Sequence, residues 1–187
     1  MTAATDVDPY DALPPGDQVR RVRTPLDWPE LRAVMATGHR EATGEDPSYK
    51  RLAVGCVMAA VEHAGSLPGG PVIPGAAIWC CNIGNIGCAE WPGDWFLLTA
   101  REELAHGPRL ITQRLRAHSC PEAGAADYWT FLLQPRFSAT LAAFDALDVD
   151  AAARALKAQR YYTATAESYA RELTSWLRVY QRRWPPP

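Results

Sequence analysis

The sequence has no run of about 18 or more apolar residues, so no segment matches the length of a membrane-spanning helix. It is nearly without lysine: Lys50 and Lys157 stand alone, and arginine carries the remaining positive charge. Acidic and basic residues almost balance at a net charge of -2, which excludes the strongly basic footprint of a general nucleic-acid binder. There is no His-Glu-x-x-His metal motif, no serine in a nucleophile-elbow pattern and no paired Cys-x-x-Cys. Cys56, Cys80, Cys81, Cys88 and Cys120 make an odd count, and Cys80, Cys81 and Cys88 lack two-plus-two zinc spacing. The expectation is therefore ordinary thiols, no metal and no cofactor. A cysteine peptidase would need a thiol at a helix start after a glycine loop, and no cysteine has that setting. Met1 to Asp17 has neither a basic n-region nor an apolar h-region. The expectation is a protein made in the cytoplasm without a secretory signal peptide.

What is present fits one ordinary globular domain. The chain has 187 residues, 48% of them hydrophobic and 21% charged, enough to bury a core without covalent staples. Residues 1–24, rich in Pro, Asp and Gly, read as a flexible lead-in, and 25–184 as a single domain.

Helical patterning begins near Leu26 and carries Leu31, Val34, Met35 and Gly38 to a stop at Gly44. Asp46-Pro47 then offers a cap and a first helical residue. Tyr49, Leu52, Ala53, Cys56, Val57, Ala60, Val61 and Ala64 recur at helical spacing, and Gly65 ends the pattern. Residues 66–78 are rich in proline and glycine and read as a loop. From Trp79 the helical period disappears. Trp95 to Leu98 and Arg109 to Ala117 read as short strands around a turn at His106-Gly107-Pro108. Ser119-Cys120-Pro121-Glu122 reads as a capping box opening a helix to about Leu133. Helical patterns follow at 138–147, 150–160 and 166–183, the last bearing Tyr169, Leu173, Trp176, Leu177 and Tyr180 on one face. The expected architecture is α+β and mostly helical, with a small β region after the second helix.

Three features carry chemistry. Glu62 lies in the last turn of an otherwise apolar helix. Apolar surroundings and the negative helix end both push a carboxyl pKa upward, as a general acid requires; the plainer reading is a solvated residue at a helix end. Asn82-Ile83-Gly84-Asn85-Ile86-Gly87 forms a tight turn whose amides suit sugar N-acetyl and hydroxyl groups, or simply an Asn-Gly turn. Trp79, Trp91, Trp95, Tyr161 and Tyr162 supply faces on which sugar rings stack, or else pack the core.

The order of these segments resembles the bacterial glucosaminidases of glycoside hydrolase family 73. Ala-Ala-Val-Glu62-His-Ala-Gly is similar to that family's acid-bearing helix end, Ala-x-x-Glu-(Ser/Thr)-Gly-x-Gly, with His63 standing where the family prefers Ser or Thr. Asn82-Ile83-Gly84-Asn85-Ile86 resembles its Asn-Asn-x-Gly-Asn-Ile turn. Leu115-Arg116-Ala117-His118-Ser119, running to Asp127-Tyr128, is similar to its Phe-Arg-x-Tyr-x-Ser segment and following helix. Tyr161-Tyr162-Thr163-Ala164, followed by Tyr169-Ala170, resembles its late Gly-Tyr-x-Thr-Ala and Tyr-Ala elements. The resemblance implies a lysozyme-like fold and cleavage of the β-1,4 bond between N-acetylglucosamine and N-acetylmuramic acid in peptidoglycan strands. By position Glu62 matches the general acid and Tyr162 the late active-site tyrosine, its hydroxyl facing Glu62. Asn82 and Asn85 match residues of the substrate turn, with Gly84 at a left-handed backbone position between them. Trp91, Trp95 and Tyr161 are the accompanying glycan-facing candidates.

Glycoside hydrolysis usually needs a second carboxyl group. Glu90 and Asp94, flanking Trp91, lead the candidates; Glu102 and Glu103 read as surface residues. The substrate's acetamido group, a water held by Tyr162 or cyclisation to an anhydro sugar are the alternatives. A lysozyme or a lytic transglycosylase on the same fold remains open, as does an inert glycan-binding component of a phage-like particle. Without a signal peptide, a bacteriolytic enzyme of this kind reaches the wall by cell lysis, a phage-like particle or a delivery apparatus.

Overall fold

The computed structural model describes residues 15–63, 78–89, 91–104, 107–162 and 164–187, with the side chains of 100–104 and 108 outside that description. The expected stop at Gly65, the loop after it, Glu90 and the hairpin tip at His106 fall outside the described residues, as do the side chains of Glu102 and Glu103.

Helix α1 spans Trp28–Thr43. Asp27 starts it with a complete capping box: its carboxylate accepts the Glu30 amide at 2.8 Å, and Glu30 accepts the Asp27 amide at 2.8 Å. Gly44 ends it in a left-handed conformation, φ 80°, open to residues without a Cβ penalty. Helix α2 spans Tyr49–Glu62 and is capped by Ser48, whose hydroxyl accepts the Arg51 amide at 3.1 Å. The expected Asp46 cap is displaced because Asp46 is engaged by Arg40, whose Nε donates to it at 2.8 Å. Residues 52–60 of α2 are all buried; at about 1.5–3 kcal/mol for each large apolar side chain, this helix is the centre of the core.

Strands β1, Trp95–Leu104, and β2, Gly107–Arg116, pair antiparallel, with Phe96 opposite Leu115. They run longer than the apolar patterning suggested, because the outer half of a two-stranded hairpin needs no apolar face. Helix α3 spans Pro121–Leu132 with Cys120 at its N-cap and no side-chain cap. The expected capping box does not form. With the helix opening on Pro121, its third residue is Ala123, so Glu122 is out of register to close the box. A single 3-10 turn, Pro135–Phe137, leads to α4, Ser138–Asp145; α5 is Val149–Ala158 and α6 Ala166–Arg183. Asp148 and Thr165 cap α5 and α6 through Ala151 and Ser168.

Helix α1 packs on α3, where Gly38 lets the backbones meet: a Cβ there would come within 2.5 Å of Ala125. Helix α2 packs against α6, α1 and α4, and α5 closes the layer between α4 and α6. Trp129 Nε1 donates to the Met35 carbonyl at 2.8 Å, tying α3 to α1. Tyr49 donates to the Trp184 carbonyl at 2.8 Å, tying α2 to the end of α6. A smaller cluster of Cys80, Phe96, Leu115 and Ala117 anchors the hairpin, with Val19 and Trp79 against it.

Residues 15–24 are a strap rather than a flexible lead-in. The Val19 amide donates to the Trp95 carbonyl at 2.8 Å, and the Trp95 amide to the Asp17 carbonyl at 3.0 Å. The Thr24 amide donates to Ile78 at 2.8 Å, and the Cys80 amide to Val22 at 2.7 Å. Backbone pairing of this kind needs no apolar alternation, which is why composition alone hid it. No helix among the described residues is long and apolar enough to cross a membrane.

Candidate functional site

Glu62 is the last residue of α2, half-buried, and its carboxylate meets the first turn of α6: the Tyr169 hydroxyl donates to its Oε1 at 3.3 Å. The Tyr169 ring is 4% exposed and stacks on Tyr162 at 3.9 Å with 6° between the planes. Burial, then the Glu62 charge, hold the Tyr169 phenol well above the usual tyrosine range. Tyr128 and Tyr161 join hydroxyls at 3.1 Å. Both phenols are likewise raised, first by burial, and the Glu62 charge adds to each. The Glu62 carboxyl group thus sits among three phenols that stay protonated at any ordinary pH, so each acts as a neutral hydrogen-bonding group.

The turn after Trp79 lies against this helix end. Asn85 Nδ2 donates to the Glu62 carbonyl at 3.4 Å, and the His63 ring Nε2 is 2.7 Å from the Ile83 carbonyl. The strained residue of the turn is Asn85, φ 50°, not Gly84 as expected. Asn tolerates that conformation better than most residues. Gly84 serves a different purpose: a Cβ there would lie 2.3 Å from Cδ2 of Tyr128. Ring and turn can meet only through its missing side chain.

Asn82 is 1% exposed. Its amide donates to the carbonyls of Ile86 and Arg116, each at 3.0 Å, and its oxygen accepts the Ile86 amide at 2.9 Å. The expected glycan-facing amide is therefore an internal brace, because its hydrogen bonds are spent on the turn and on the end of β2. The expected Tyr162 contact is also corrected. Its hydroxyl donates to the Ala153 carbonyl at 2.7 Å, and Tyr169 occupies the place on Glu62. Burial raises the Tyr162 phenol to about 12.

The remaining candidates gather at the base of the hairpin. Trp91 is half-buried, donates to the Asp94 carbonyl at 2.8 Å, and packs between the Arg116 guanidinium at 4.9 Å and the His118 ring at 5.1 Å. Trp95 is 6% exposed and donates its indole N–H to the Gly16 carbonyl at 3.0 Å, so it packs the strap rather than facing solvent. Asp94 is exposed and accepts the Asp17 amide at 3.1 Å. The structure brings Glu62, Gly84, Asn85 and Tyr161 together, and sets Trp91, Asp94 and Trp95 as a second group.

Sequence reasoning missed three residues. Tyr169 reads as one more member of the apolar stripe of α6. Tyr128 carries no signal beyond its place in the Asp-Tyr pair. Arg116 is a junction: its Nε donates to Gly87 at 2.9 Å, its Nη1 pairs with Asp127 at 2.7 Å, and its carbonyl receives Asn82. Among the described residues no group of three or more His, Cys, Asp or Glu is placed to hold a metal ion.

No protein-family model and no curated protein matches this sequence. Among solved structures, a peptidoglycan hydrolase mutant from Sphingomonas sp. A1 aligns with a TM-score of 0.59 at 20% identity, over 82% of this chain and 97% of that one. The glycoside hydrolase domain of FlgJ from Salmonella typhimurium aligns at 0.51 and 22% identity, over 84% and 91% of the two chains. A C-terminally truncated form of that domain aligns at 0.50 and 23%, over 81% and 96%. Identities this low speak to architecture, and the chain shares the α+β fold of these hydrolase structures, the lysozyme-like fold its segment order implies.

Proposed function

We propose that this protein is a peptidoglycan hydrolase that cleaves the β-1,4 bond between N-acetylglucosamine and N-acetylmuramic acid. The observation that carries the reading is the setting of Glu62: a half-buried carboxyl at a helix end, contacted by the Tyr169 hydroxyl at 3.3 Å and flanked by the Asn82–Ile86 turn. The shared fold with a peptidoglycan hydrolase and a glycoside hydrolase domain supports it.

In this reading Glu62 protonates the leaving glycosidic oxygen as the sugar acquires oxocarbenium character. Tyr169 holds the carboxyl and, by donating to it, stabilises the carboxylate left once the proton has gone. Asn85 and the turn position the N-acetyl sugar, with Tyr161 and Trp91 along the glycan. Water then adds to the anomeric carbon: either a second carboxylate, for which Asp94 is the candidate, takes its proton, or the substrate's acetamido group first displaces the leaving sugar and Glu62, now a carboxylate, takes the proton of the water that opens that intermediate. The reaction as proposed needs no metal or cofactor, and its site of action is the cell wall, reached through lysis, a phage-like particle or a delivery apparatus.

Digestion of purified peptidoglycan, followed by borohydride reduction and mass spectrometry of the fragments, tests the reading. A reduced N-acetylglucosamine end is expected. A reduced N-acetylmuramic end would make the protein a lysozyme, and a 1,6-anhydro end a lytic transglycosylase. Binding without release would make it an inert glycan-binding module.

A further inference from the structure

We infer that His63 is a positioning residue: with Asn85 it clasps the end of the acid-bearing helix to the Asn82–Ile86 turn and so sets Glu62 relative to that turn. The inference rests on the proposed function for its catalytic consequence, but the clasp itself is a matter of geometry.

His63 follows Glu62 directly and is 1% exposed. Its ring Nε2 lies 2.7 Å from the Ile83 carbonyl. A carbonyl can only accept, so Nε2 carries the proton, and a neutral ring is the Nε2–H tautomer. In the opposite direction, Asn85 donates to the Glu62 carbonyl at 3.4 Å. That carbonyl belongs to the last turn of α2, where four carbonyls have no partner within the helix. Each partner thus satisfies a backbone group of the other, and the two contacts fall on consecutive residues, the last of α2 and the C-cap that follows it.

The turn is itself rigidly held. Asn82 closes it onto Ile86 and ties it to the Arg116 carbonyl, and Tyr128 fills the space over Gly84. A rigid turn bound at two points to the helix end leaves Glu62 little freedom to shift. A hydroxyl on a one-carbon stem at position 63 would stop short of the Ile83 carbonyl that the imidazole reaches. Misplacement of a catalytic group by about 1 Å can cost on the order of a hundredfold in rate, so a residue that touches no substrate can still govern turnover.

His63→Leu and His63→Gln separate the possibilities, because Leu fills the space without a donor and Gln restores one. Each is assayed on purified peptidoglycan for kcat and KM, and by heteronuclear NMR for the Asn85 side-chain amide and the Ile86 amide. The expected result for His63→Leu is at least a tenfold fall in kcat, KM within about threefold of wild type, and displaced Asn85 and Ile86 signals. His63→Gln is expected to return both signals and most of the turnover. If the wild-type protein releases nothing but the signals move in Leu and return in Gln, the clasp stands and the hydrolase reading fails. Unmoved signals, or wild-type turnover in His63→Leu, would overturn the inference. Should His63→Leu not fold, long-range nitrogen correlations of the wild-type His63 ring decide: an Nε2–H proton supports the clasp, and the neutral Nδ1–H tautomer refutes it.

Discussion

The Tyr169 hydroxyl lies 3.3 Å from Oε1 of Glu62, joining the last residue of α2 to the first turn of α6. Tyr162 stacks on the same ring at 3.9 Å, yet its own hydroxyl is turned away to the Ala153 carbonyl. The two tyrosines therefore make opposite predictions. Tyr169→Phe is expected to lower turnover on peptidoglycan at least tenfold, or about 1.4 kcal/mol of transition-state stabilisation. Tyr162→Phe is expected to leave turnover within about threefold and to lower stability by about 0.5–1.5 kcal/mol, the net worth of one hydrogen bond. Steady-state rates and denaturant melts on both variants decide; a reversed pattern would return the catalytic tyrosine to position 162.

Gly84 is expected to tolerate no side chain. With a Cβ placed 2.3 Å from the Tyr128 ring, Gly84→Ala forces ring or turn to move, at a cost of about 1–3 kcal/mol. A denaturant midpoint equal to wild type would show that the turn yields freely.

The strap predicts a third result. Residues 15–24 pair with the backbone at Ile78, Cys80 and Trp95, and Trp95 donates its indole N–H to Gly16. Removing residues 1–24 is expected to lower the thermal midpoint by at least about 5 °C, as loss of a few kcal/mol does in a domain of this size. The same truncation should speed hydrogen exchange at the Trp95 amide. An unchanged midpoint would mark the strap as dispensable.

Stability at high pH follows from the phenols. Tyr128, Tyr161 and Tyr169 are all raised above the usual value of about 10, first by burial and then by neighbouring charge. Below pH 10 they are protonated in both the folded and the unfolded chain, and their effect on stability is constant. Above it the unfolded chain ionises while the folded one does not. Folding stability should then fall as pH rises above about 10, each group adding at most about 1.4 kcal/mol per pH unit. Urea titrations at pH 9, 10 and 11 check this, and a flat profile would contradict the desolvated placement of these hydroxyls.

Much of this architecture is legible in the sequence. The 3.6-residue period located the helices, and Gly44 marks a real boundary. What failed did so for identifiable reasons. Asp46 and Ser48 are both good caps, and only the competing ion pair with Arg40 decides between them. The strap holds by backbone hydrogen bonds, which side-chain composition does not encode. Within the site, Glu62 stood out because a charge in an apolar helix is anomalous. Tyr169 did not, because an aromatic on an apolar stripe looks like core until a carboxylate is placed beside it. Asn82 and Asn85 look equivalent in the sequence, and only burial separates the internal brace from the residue that reaches the Glu62 backbone carbonyl.

In the proposed mechanism Glu62 delivers the proton that breaks the glycosidic bond. Glu62→Gln preserves size and polarity and removes the acidic proton, so its activity isolates that step. The measurement is fragment release from purified peptidoglycan by wild type and Glu62→Gln at matched concentration, with both shown to be folded by circular dichroism. Release by the wild type and a loss of several orders of magnitude in the variant are expected. Release by Glu62→Gln at near wild-type rate would contradict that mechanism.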